Sequence, residues 1–132
     1  MIIGFVCGCF DLFHIGHLNL LKAAKNECDY LIVGVHTDDA IIKHKQHNPL
    51  IAENERLEIV KAIRYVDEAH LISKELEDRL NFCKQYNIDI IFAGDDWKGS
   101  TFYNELIKSG IQVKFFPYTQ GISTTQLREK LK

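Results

Sequence analysis

Apolar residues gather in short runs at wide spacing along the chain, at 2–6, 30–35, 88–93 and 113–116, with a shorter run at 69–72. Short apolar runs bounded by polar or glycine-bearing segments predict strands buried on both faces. The segments between them change period. Leu18, Leu21 and Ala24 mark one helical face, Leu57, Val60 and Ile63 a second, Leu76, Leu80 and Cys83 a third, and Tyr103, Leu106 and Ile107 a fourth. A short C-terminal helix is expected over 126–131. Strands that alternate with helices predict an α/β fold, a Rossmann-like parallel sheet of about five strands with helices on both faces. With 132 residues, no internal repeat and no low-complexity stretch, the expectation is a single domain over 1–132.

In such sheets ligands bind beyond the carboxyl ends of the strands. Four polar segments fall at those ends, 8–17, 36–39, 94–99 and 118–125, so strand direction alone gathers them around one pocket. In the first, Gly8, Asp11, His14, Gly16 and His17 lie between a strand and a helix start. Backbone N–H groups converge there, and the positive end of the helix dipole favours anions. His14 and His17 are spaced to share a helix face, for phosphate stabilisation, metal ligation, or capping and packing. The two glycines suit a turn of positive φ and close approach of backbone to phosphate. Asp11 is suited to cap the helix, orient a histidine, or help hold magnesium through water. Ser123 and Gln126 have capping-box spacing, and a hydroxyl-rich helix start after Gly121 also suits phosphate.

Lys43, His44 and Lys45 read as a charged loop whose lysines could clamp a polyphosphate. Arg56 and Arg64 are candidates for surface ion pairs with Glu53 or Glu58, or for phosphate contact through the planar guanidinium. Asp95, Asp96 and Trp97 suit recognition of a base or polar substrate, or an Asx-type turn under an indole lid. There is no Walker lysine motif and no GxGxxG, which disfavours a P-loop kinase or dinucleotide enzyme.

Charge narrows the partners. A formal net charge of −2 argues against a large basic face for duplex nucleic acid. No apolar run approaches the roughly 18 residues that cross a bilayer, so no membrane partner is expected. The amino terminus leads straight into a strand, without the features of a secretory signal. Cys7, Cys9, Cys28 and Cys83 form no CxxC pair. They read as small buried hydrophobes in a reducing, cytoplasmic setting.

Gly8-Cys9-Phe10-Asp11-Leu12-Phe13-His14-Ile15-Gly16-His17 resembles the HxGH signature of the cytidylyltransferases, and Gly121-Ile122-Ser123-Thr124-Thr125 resembles the end of their second signature, RTEGIST. The HxGH turn alone marks a wider nucleotidyltransferase superfamily, and the pair at opposite ends of the chain is more specific. Gly94-Asp95-Asp96-Trp97 is similar to members acting on glycerol 3-phosphate, whereas Gly34-Val35-His36-Thr37-Asp38 and Lys43-His44-Lys45 are similar to those acting on ethanolamine phosphate. The second signature departs from the family, with Tyr118 in place of arginine and Gln120 in place of glutamate.

The resemblance implies CMP transfer from CTP to an alcohol phosphate, with a CDP-polyol for a surface polymer as the leading product. It implies His14, His17, Lys43 and Lys45 as catalytic. It implies Gly8, Cys9, Phe10, Asp11, Gly16, Arg64, Asp95, Thr119, Gly121, Ile122, Ser123 and Thr124 around the nucleotide, and Asp38, Trp97 and Tyr118 around the acceptor. Magnesium would arrive with CTP, with no protein metal site and no tightly bound organic cofactor, and the working form would be a homodimer. Alternatives are a phosphoethanolamine or phosphocholine enzyme, an adenylyltransferase, a catalytically weak nucleotide-binding module, and a metal-binding module.

Overall fold

The computed structural model describes residues 1–45, 47–117, 119 and 121–131, without the side chains of His44 and Lys45. Five strands pair in parallel in the order β3-β2-β1-β4-β5. They are β1 (Ile3–Gly8), β2 (Tyr30–His36), β3 (Glu68–Ile72), β4 (Ile90–Gly94) and β5 (Gln112–Phe116). The helices between and after them are α1 (Ile15–Asn26), α2 (Asp38–Lys45), α3 (Glu53–Lys61), α4 (Leu76–Gln85), α5 (Thr101–Lys108) and α6 (Thr124–Lys130). The expected parallel α/β sheet is therefore present. No described helix is long and apolar enough to cross a membrane.

Each face of the sheet has its own core. On one, Leu21 and Ala24 of α1 and Val60 of α3 pack with Val6, Leu31, Val33 and Phe92. On the other, Cys83 of α4 and Tyr103 and Leu106 of α5 pack with Phe5, Ile32 and Ile91. These helix residues are among those picked out by the helical period, whereas Ile107 is exposed and Leu18 belongs to neither core. Such burial of apolar surface is the main force holding the layers together.

Two boundaries matter for the site. β1 runs beyond its apolar run because Cys7 and Gly8 pair with Gly34 and Val35. The segment around Lys43, expected as a loop, is α2, whose first turn is capped by Thr37 through its Oγ1 and carries Asp38 and Asp39 at the positive end of the dipole.

The strand order reverses between β1 and β4. Those two strands pair only at Gly4–Ile90 and Phe5–Ile91, whereas β1 and β2 stay paired as far as Gly8 and Val35. Beyond Phe5 and Ile91 the sheet is open at its carboxyl end. A crevice at the switch point is where this architecture accepts ligands.

Candidate active site

A cavity of about 720 Å³ fills that crevice. Its lining brings together Gly8, Cys9, Phe10, Asp11, His14, Gly16, His17, Trp97, Thr119, Ile122, Ser123 and Thr124 from the sequence-derived set. The topology has joined the first and last polar segments of the chain across one opening.

The turn after β1 holds both histidines through the backbone. His14 is the N-cap of α1, and its Nδ1 accepts the Gly16 N–H at 3.0 Å. His17 Nδ1 accepts the His14 N–H at 3.1 Å. Each Nδ1 is therefore an acceptor, so each neutral ring carries its proton on Nε2. Burial holds the His14 pKa below the usual histidine value, which favours that neutral form. The rings stack with centroids 3.9 Å apart, and Phe10 and Phe13 flank His17 at 5.4 and 5.2 Å. Capping and phosphate chemistry are compatible here, because capping fixes the tautomer that leaves an N–H donor at Nε2.

The glycines act differently from expectation. Gly8 and Gly16 do not adopt positive φ; Phe10 and Leu12 do, at 53° and 52°. A side chain at position 16 would place Cβ 2.8 Å from His14 Cε1, so Gly16 is required for close approach to that ring. Two non-glycine residues in the left-handed region store strain at the turn, of order 1–3 kcal/mol each. Gly121, at φ +81°, does use the freedom of glycine to lead into α6, and itself lies outside the cavity lining.

Asp11 takes a role that differs from each one anticipated. Its Oδ1 accepts the Ile51 N–H, and its Oδ2 accepts the Leu50 N–H and Arg128 Nη2 at 2.6 Å. The Thr124 hydroxyl donates to the Asp11 carbonyl at 2.9 Å. The carboxylate thus ties together the HxGH turn, the segment before α3, and α6. With its oxygens committed to protein donors, it neither caps α1 nor orients a histidine, and it is a poor magnesium ligand. Ser123 caps α6 through Oγ to the Gln126 N–H. Asn19 Nδ2 donates to Thr119 Oγ1, bringing α1 onto the same wall.

Arg56 is neither a surface ion-pair partner nor a phosphate ligand. Its side chain has no exposed surface. Its Nε donates to the Ile51 carbonyl, Nη1 to the carbonyls of Cys9 and His36, and Nη2 to Asp38 Oδ1. Asp38 is consequently a partner of this arginine and lies outside the cavity lining. Arg64 also lies outside it, exposed and bonded to the Tyr65 hydroxyl, because the residues after α3 lead to the amino edge of β3. Asp95 is exposed, and its neighbour Asp96 lines the cavity instead. Lys43, on α2, is exposed and pairs with Glu75 at 2.9 Å. The Lys45 side chain, Tyr118 and Gln120 lie outside the described residues.

Sequence reasoning missed several lining residues, Lys74, Arg79 and Arg128 among them, whereas His36, at the end of β2, lines the cavity as its strand-end position implied. Arg79 could have been found. It falls at helical spacing with Leu76 and Cys83, a cation on an apolar stripe. The thiols of Cys7, Cys28 and Cys83 are pushed up by burial, Cys83 to about 11, as befits inert packing groups.

Fold and site together define a nucleotidyltransferase-type α/β protein, with a histidine-bearing turn and a hydroxyl-rich helix start facing one cavity. The cytidylyltransferase-like family model matches residues 5–130, and the chain belongs to that family. It is 38 % identical over 124 residues to glycerol-3-phosphate cytidylyltransferase of Bacillus subtilis, covering 94 % of this chain and 92 % of that protein. It is 41 % identical over 127 residues to ethanolamine-phosphate cytidylyltransferase of Mus musculus, covering 91 % of this chain and 30 % of that longer protein. Among solved structures, the lipopolysaccharide core biosynthesis protein of Thermoplasma volcanium superposes with a TM-score of 0.72 at 30 % identity, over 90 % of this chain and 97 % of that one.

Proposed function

We propose that the whole chain works as one catalytic domain that transfers CMP from CTP to glycerol 3-phosphate or a related polyol phosphate, releasing pyrophosphate. The cytidylyltransferase class and an alcohol-phosphate acceptor follow from the family and its relatives. The observation that carries the reading of the site is the tautomer of its two histidines, each locked by a backbone N–H at Nδ1.

In the reaction an oxygen of the acceptor phosphate attacks the α-phosphorus of CTP. The bond from that phosphorus to the bridging oxygen breaks, and pyrophosphate leaves with the electron pair. Negative charge builds on the non-bridging oxygens of the five-coordinate centre. Nε2–H donors from His14 and His17 stabilise that charge, and they are oriented before the reaction begins. The amino end of α6, with Ser123 and Thr124, supports binding of the nucleotide phosphates. Gly8, Cys9, Phe10, Gly16, Thr119 and Ile122 form the walls around it.

Among the described residues, no group of three His, Cys, Asp or Glu side chains is placed to hold a metal. Magnesium would be carried in on the CTP phosphates, with water completing its shell. The family resemblance gives Lys43 and Lys45 a role at the phosphates; Lys43 pairs with Glu75, an exposed contact worth only about 0–1 kcal/mol. The family resemblance supports a homodimer working in the cytoplasm.

A second acceptor is favoured by one observation. Asp96 and Trp97 line the cavity together, a pairing that suits an ammonium group and hence ethanolamine phosphate. Competition decides between them. The enzyme would receive CTP, magnesium and equal concentrations of glycerol 3-phosphate and ethanolamine phosphate, with CDP products counted by mass spectrometry. CDP-glycerol in excess is expected; CDP-ethanolamine in excess would reassign the acceptor.

A further inference from the structure

Arg79 of α4 is 2 % exposed and lines the same cavity. Its Nε is buried and has no hydrogen-bond partner. Nη2 lies 3.3 Å from His36 Nε2, and the guanidinium sits 4.7 Å over the Phe102 ring. Burial pushes the neighbouring Tyr103 hydroxyl well above its usual range, so it stays neutral beside Arg79. A guanidinium can only donate, so His36 Nε2 accepts and Nδ1–H faces Cys9 Sγ at 3.5 Å. No carboxylate among the described residues pairs with Arg79.

A cation taken out of water without an anion is destabilising, and proteins seldom keep one without use. The remaining arginine of the lining, Arg128, is paired with Asp11. Arg79 also enters from the opposite side of the sheet to the histidine turn. Its helix, α4, packs in one core with α5, whereas α1 packs in the other. The proposed reaction brings a second phosphoryl group, that of the acceptor, into a cavity whose histidine side takes the nucleotide.

We infer that Arg79, backed by His36 and flanked by Phe102, is the anchor for the phosphate dianion of the acceptor. The inference rests on the transferase reading for the identity of its ligand. The guanidinium lines the cavity and offers planar N–H donors to phosphate oxygens, the geometry arginine supplies and lysine does not. The acceptor's alcohol portion then extends toward Trp97 and Asp96.

Steady-state kinetics of Arg79→Gln and Arg79→Lys test this. With CTP saturating, Arg79→Gln raises KM for glycerol 3-phosphate by roughly 10- to 100-fold, the scale of one lost charge-assisted hydrogen bond. KM for CTP stays within about threefold of the parent, because the nucleotide contacts are intact. Arg79→Lys falls between, since charge returns without the fork. A rise in KM for CTP in place of that for the acceptor, or no change in either, overturns the proposal.

A second measurement uses the unaltered protein and so does not depend on a variant folding. The chain has four arginines, Arg56, Arg64, Arg79 and Arg128, whose Nε–H signals can be followed by nitrogen-15 NMR. Glycerol 3-phosphate alone is expected to shift the Arg79 signal, while CTP alone leaves it in place. A signal that answers only to CTP, or to neither, overturns the assignment. Absence of turnover with every substrate pair would sink the transferase reading, and the titration would still decide whether Arg79 binds a phosphomonoester.

Discussion

Two arginines are buried in this molecule, and their surroundings are opposite. Arg56 spends its donors on three backbone carbonyls and Asp38. Arg79, just as deep, has an unpartnered Nε, an imidazole and an aromatic ring as its contacts, and no carboxylate pair. The first is a strut that locks the turn after β1 to the end of β2 and the start of α3. The second is an incomplete site. Saturation of polar contacts separates the frame of the cavity from the part that awaits a ligand.

The largest expected effect breaks the strut. Arg56→Met leaves Asp38 and three carbonyls without their donor, and should cost about 3–5 kcal/mol in urea unfolding. Arg79→Met removes a cation with no anion and should change stability by less than about 1 kcal/mol. Equal losses in the two variants would erase the distinction drawn between them. Next in size is the chemistry on the histidine side. His17→Ala should lower kcat by roughly 10²–10³-fold, the scale of a lost transition-state donor. CTP binding by calorimetry should change little, and a kcat within a few-fold of the parent would remove His17 from the mechanism.

A smaller effect tests how frame and site are joined. Asp11→Asn turns an acceptor facing Leu50 N–H and Arg128 into a donor, at about 1.5–3 kcal/mol. Hydrogen exchange should show α6 opening more readily, whereas parental protection of α6 would mean that Asp11 does not hold it. The smallest effect concerns pH. Because the native His14 pKa is depressed, the unfolded chain takes up its proton first as pH falls through about 6.5. Stability that is present above that value is lost below it, down to the native pKa. His14→Asn keeps a capping acceptor without titrating, so its urea midpoint should fall less between pH 7.5 and 5.5. Identical pH dependence in parent and variant would place the titration elsewhere.

Period and strand direction made the sheet, its two faces and the meeting of the first and last signatures legible in the sequence. Side-chain duties were less so. Asp11, Asp38 and Arg56 have the composition of a binding site, yet Asp38 serves Arg56, and Asp11 serves Arg128 and the backbone. That pairing arises only when the segment around Ile51 folds across the turn after β1, a tertiary event with no local signal. Lys43 read as a loop cation, but helix α2 turns it toward Glu75. The two buried arginines did leave a trace. Arg56 lies at helical spacing with Val60, and Arg79 with Leu76 and Cys83. A cation on an apolar stripe signals burial. Spacing does not say whether such a cation meets a carboxylate or a cavity.

Cytidylyl transfer is tested most directly by supplying the enzyme with magnesium, glycerol 3-phosphate and either CTP or ATP, and following phosphorus-31 NMR. The account predicts the paired diphosphate signals of CDP-glycerol, with one pyrophosphate for each, from CTP alone. Product from ATP and none from CTP, or CTP binding without any turnover, would contradict it.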